Sequence, residues 1–153
     1  MQSFLFTALL ISVISTPVGP TQTPKAINKR VVVKNINQKK DRLLNLNSFV
    51  GKYPTEVRLL EEGTLKIRLQ KILRGRFIYL QQNWAVETPI NIVEGMFLAW
   101  GCQQHNCDQT NFIIVVDLKK NLVYCGIREK DLVKTYSEDG SNNIQINNWA
   151  TRH

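Results

Sequence analysis

Histidine is nearly missing from this chain: among 153 residues only His105 and the terminal His153 carry an imidazole. Also absent are the Gly-x-Ser-x-Gly turn of acyl hydrolases and any glycine-rich loop that could cradle a phosphate. No serine or carboxylate is assigned to His105 by spacing, so the common nucleophilic and nucleotide chemistries have no foothold. Glu56, Glu61, Glu62, Glu87 and Glu94 could in principle pair as acid and base, but nothing in the sequence selects two of them, and the expectation is a protein that is not an enzyme. No apolar run reaches the roughly 20 residues that span a bilayer. Nor is there an internal repeat. The chain is 43% hydrophobic, enough for one proper core, and it is too short for two ordinary domains.

What is present begins with an apolar run, Phe4 to Ile14, followed by small or polar residues and Pro17. It lacks a preceding Lys or Arg. Even so, its length and its small residues Val13 and Ser15 fit a secretory signal over residues 1–15; a short anchor or a buried segment is the other reading. A periplasmic or secreted protein follows, with a mature form that does not span the membrane. The formal charge of +8 suggests nucleic acid until it is mapped. Lys25, Lys29, Arg30, Lys34, Lys39, Lys40 and Arg42 stand against Asp41 alone, so +6 sits in one short stretch and only +2 is left for the rest. Residues 16–47 therefore read as a basic flexible tether, suited to solvation or to an anionic envelope surface. Basic and aromatic residues are not interleaved in the remainder, and no nucleic-acid partner is expected.

The folded domain is expected over residues 48–153. In "GTLKIRLQKILRG", Leu65, Leu69, Ile72 and Leu73 line one helical face, with Thr64 placed as N-cap and Gly75 just past the end. Lys66, Arg68, Lys71 and Arg74 are expected on its solvated face. Beyond this single helix the period shortens to two: "RFIYL", "TPINIV", "GMFLAW", "NFIIVVDL", "LVYCGI" and "LVKTYS" read as strands. Turns are expected at Gly95 and at Lys119–Asn121. Short connections between successive strands make the sheet antiparallel, and the fold class is α+β, a sheet packed with one or more helices. Trp149 is expected as a core anchor, with contact to a partner as the other reading.

Between two of these strands lies "CQQHNC", residues 102–107. Three readings compete. In an oxidising compartment Cys102 and Cys107 are near enough to close a tight loop, leaving Cys125 as a buried thiol or as a link to another chain. Closing so small a ring would remove about 2 kcal/mol of unfolded-chain freedom. Zinc could instead take Cys102, His105, Cys107 and Cys125, though the spacing lacks the usual second pair. Last, His105 could act as a catalytic base. Beside these three stands a plainer reading, an exported structural or interaction module whose stapled turn merely carries a surface histidine.

The run "GCQQHNC", followed by "NFIIVVDLKKNLVYCGI", resembles the periplasmic inhibitor of vertebrate lysozyme, a bacterial family marked by a Cys-x-x-His-x-Cys loop between strands. The resemblance spans roughly residues 50–150 in element order, and the hexapeptide is its specific part. Where the family has Lys-Pro before the histidine and Asp after it, this chain has Gln103, Gln104 and Asn106. The resemblance implies a disulfide between Cys102 and Cys107 and a protruding loop, Cys102, Gln103, Gln104, His105, Asn106 and Cys107, that binds the target. Its partner would be a c-type lysozyme or a related peptidoglycan-cleaving glycosidase, its cleft plugged by His105. On the ligand spacing and the oxidising compartment no metal or cofactor is expected, and the resemblance allows a homodimer. Losing the Pro, and losing an anion beside the imidazole, would on this reading loosen the loop.

Overall fold

The computed structural model describes residues 43–152. The expected signal, the basic stretch up to Arg42 and His153 lie outside the described residues.

Six antiparallel strands form one sheet: β1 (Val86–Glu87), β2 (Asn91–Val93), β3 (Met96–Cys102), β4 (Thr110–Asp117), β5 (Leu122–Glu129) and β6 (Leu132–Ser137). β3, β4, β5 and β6 lie in chain order, and the short β1 and β2 share the outer edge of β3. The β-branched and aromatic run "NFIIVV" explains why β4 lies at the centre. Every residue of that strand is buried, as a strand covered on both faces must be. Phe112, Ile114 and Val116 enter one core, while Ile113 and Val115 enter another on the opposite face. The turn before β3 uses Glu94 at φ 52° and Gly95 at φ 78°, the pair of positive angles a two-residue hairpin needs. The β4–β5 hairpin turns where expected. There Asp117 Oδ1 accepts from Lys119 N at 3.0 Å and Lys120 N at 2.8 Å.

Three α-helices are present among the described residues, where the sequence suggested one. α1 (Gly63–Leu73) buries Leu65, Leu69 and Leu73 as its periodicity requires. Its N-cap is Glu62 and not Thr64, the carboxylate accepting from Leu65 N at 2.6 Å. The segment "RFIYL", expected as a strand, is instead the start of α2 (Arg76–Asn83). Phe77 and Leu80, three apart, both reach the first core, and that packing overrides the β preference of the local residues. α3 (Ile144–Ala150) covers the second face of the sheet with Ile146 and Trp149, which is the core anchor expected of Trp149. Arg68 also departs from expectation. It does not lie on a solvated face; its Nε donates to Glu138 Oε1 at 2.7 Å and it donates to the Asn121 carbonyl at 2.6 Å.

Residues Leu43–Phe49 form a 3-10 helix whose Leu43 and Leu46 are fully buried in the first core. Residues 43–47, read as the end of the tether, thus belong to the folded body, because two leucines among asparagines suffice to dock them. Two glycines let tryptophans approach the sheet, Trp84 just past the end of α2 and Trp149 on α3. A Cβ at Gly101 would stand 2.3 Å from the Trp84 ring, and one at Gly126 would stand 2.2 Å from the Trp149 ring. Only hydrogen fits there.

Candidate functional site

β3 ends on Cys102 and β4 begins at Thr110, so residues 103–109 protrude from one end of the sheet. Cys102 and Cys107 are joined by a disulfide, with Cα atoms 4.9 Å apart. The pairing raised by the spacing and implied by the resemblance is therefore present. Within the ring Asn106 N donates to the Gln103 carbonyl at 3.0 Å, which makes residues 103–106 a tight turn. His105 is its third residue at φ 59°. A type II turn demands a left-handed residue at that place, which histidine tolerates better than most side chains do.

Of the six residues expected to meet a target, the structure exposes only Gln104 and His105. Cys102 is buried, and Gln103, Asn106 and Cys107 are half-buried. The Asn106 side-chain amide donates to Gln103 Oε1 at 2.7 Å and to Thr110 Oγ1 at 3.2 Å. Gln103 Nε2 donates in turn to Asn83 Oδ1 at 2.9 Å, and Asn83 Nδ2 donates to the Tyr79 carbonyl at 2.8 Å. This relay fastens the turn to the end of α2. Asn106, standing where the resembled family has an Asp, turns inward and braces the loop.

The other side is held as firmly. Asn111 Nδ2 donates to the Cys107 carbonyl at 2.7 Å, and Asn111 Oδ1 accepts from Trp149 Nε1 at 3.0 Å. Arg128 caps the end of α3 by donating to the carbonyls of Trp149 and Ala150, both at 3.2 Å, and of Arg152 at 2.7 Å. Lys130 N donates to the Gln109 carbonyl at 2.7 Å, tying the loop to the β5–β6 turn. Asn83, Thr110 and Asn111 were missed as site residues. The sequence did offer a signal for one of them, since a lone asparagine at the head of the apolar run "NFIIVV" needs a buried partner.

The imidazole of His105 makes no hydrogen bond or ion pair with any other described residue. It stands at the tip as a donor and acceptor with its capacity unused. The two thiolates a metal would need are bonded to each other, and Cys125 lies fully buried in the first core, its thiol's pKa pushed up by burial. Among the described residues no three His, Cys, Asp or Glu side chains converge to hold a metal ion. No helix among them is long and apolar enough to cross a membrane.

Residues 64–152 match the family model described as Inhibitor of vertebrate lysozyme (Ivy). No curated protein and no solved structure matches the chain.

Proposed function

The chain belongs to the family of inhibitors of vertebrate lysozyme, and from that membership we propose that its disulfide-closed loop blocks the cleft of a c-type lysozyme or related muramidase with His105. The observation that carries this reading is the presentation of one unengaged imidazole at the exposed tip of a turn that is braced on every other side. A glycosidase of this class works with two carboxyl groups about 5 Å apart. An imidazole between them donates to the ionised oxygen, accepts from the protonated one, and takes the place of the sugar. Gln104 adds an amide at the same tip.

Rigidity supplies the affinity. A loop held by a disulfide and five or more hydrogen bonds has little freedom left to lose, so most of its contact energy appears as binding. We further propose that residues 1–15 direct export and that the protein acts in the periplasm or outside the cell, where lysozyme and an intact disulfide coexist. The basic stretch from Lys25 to Arg42 then holds the domain near anionic envelope surfaces.

The test compares lysozyme turnover of a cell-wall suspension with the wild-type protein and with His105→Ala. Alanine tolerates the left-handed turn position less well than glycine, so His105→Gly serves as the companion variant. Inhibition by the wild type with at least a hundredfold loss in both variants supports the plug. Equal inhibition by all three proteins refutes it.

A further inference from the structure

We propose that the open groove beside the loop seats the rim of the target's cleft, as a second contact surface for the same lysozyme; this inference rests on the plug reading above. A ring closed at Cys102 and Cys107 can project no more than about 10 Å, so a cleft entered by His105 must bring its rim onto the flanks of the loop. One flank is closed. There Asn83 and the buried Trp84 fill the space between the loop and α2.

The opposite flank is open. A groove of about 1180 Å³ runs from the loop along the face of the sheet towards α3, and Cys107, Asp108 and Gln109 form its loop end. Leu98, Trp100 and Val133, all half-buried, line the part of this face that α3 leaves uncovered. A tryptophan on the floor of a concave surface with a polar margin is the composition of a protein contact centre. At the loop end Asp108, Lys130 and Asp131 are all exposed on the groove's margin, so charges of both signs are available to a polar rim. The breadth and openness of the groove fit a convex protein lip and not a small molecule enclosed on all sides.

The experiment fills the groove without touching the loop. Asn148 on α3 and Thr88 before β2 are exposed and line it, so Asn148→Trp and Thr88→Trp each place a bulky ring where the rim would lie. Inhibition constants against egg-white lysozyme are measured for the wild type, both groove variants and His105→Ala, with thermal unfolding to confirm the fold of each. A rise of tenfold or more in both groove variants, at wild-type melting temperature, supports the second contact. If both groove variants inhibit within twofold of the wild type while His105→Ala is inactive, the groove proposal falls and the plug stands. If the wild type does not inhibit, or His105→Ala inhibits as well as it does, the plug reading falls and the groove proposal falls with it.

Discussion

Replacing Asn106 by aspartate reverses the direction in which the loop's hydrogen bonds must run. The relay from Asn106 through Gln103 and Asn83 ends on the carbonyl of Tyr79, which can only accept. That fixed end orients both amides upstream, so position 106 must donate. Alanine there removes two hydrogen bonds on a half-buried residue, a loss of about 1 kcal/mol. Aspartate is worse at pH 7. Thr110 can rotate its hydroxyl to donate to the new carboxylate, but Gln103 Oε1 faces it as one acceptor against another, and the expected loss is about 2 kcal/mol. That corresponds to a fall of roughly 6 °C or more in the unfolding midpoint for a domain of this size.

The sign of the pH dependence follows from the same geometry. A carboxyl facing an acceptor has its pKa raised on folding, so the variant is least impaired below the ordinary aspartate value near about 4 and loses stability as pH rises through the raised value. Thermal unfolding of wild type, Asn106→Ala and Asn106→Asp at pH 3.5 and pH 7 measures this, and inhibition constants at pH 7 should weaken in the same order. Asn106→Asp as stable as Asn106→Ala at pH 7, or a gap that does not close on acidification, refutes the relay. Gln103→Lys should rescue Asn106→Asp by giving the carboxylate a cation, and a double-mutant cycle reads that coupling.

Other outcomes follow from the same structure. Gly126→Ala should cost about 3 kcal/mol in denaturant titration, because its Cβ would stand 2.2 Å from a Trp149 ring that Asn111 holds in place. Glu138→Ala should lose about 2 kcal/mol, since it strips the half-hidden Arg68 guanidinium of its carboxylate and also frees Val123 N. Cys125 is held protonated by burial, so unfolding above the free thiol value of about 8.5 releases its proton. Wild type should therefore lose about 1.4 kcal/mol per pH unit beyond that point relative to Cys125→Ala. The same thiol should resist alkylation until the protein is unfolded.

The period of 3.6 made α1 legible, because Leu65, Leu69 and Leu73 reveal one face by spacing alone, and runs of β-branched and aromatic residues such as "NFIIVV" made most of the sheet legible. α2 was not legible. "RFIYL" carries the β-branched and aromatic residues of a strand, and only the tertiary burial of Phe77 and Leu80 makes it helical. α3 is a single short amphipathic stretch whose apolar face shows only as Ile146 and Trp149, too few for a period. Within the loop, the sequence placed the disulfide and the histidine, yet it gave no sign that Gln103 and Asn106 look inward. That division depends on the Thr110 hydroxyl and on Asn83, whose neighbour across the fold cannot be read along the chain.

The central claim is that the loop occupies the sugar-binding notch of lysozyme, and competition tests it most directly. Calorimetric titration of lysozyme with the protein, alone and with a short N-acetylglucosamine oligomer present at about ten times its own dissociation constant, measures whether both can bind. Mutual exclusion predicts that the apparent dissociation constant rises about elevenfold. An unchanged constant, with saccharide and protein bound together, would contradict the account.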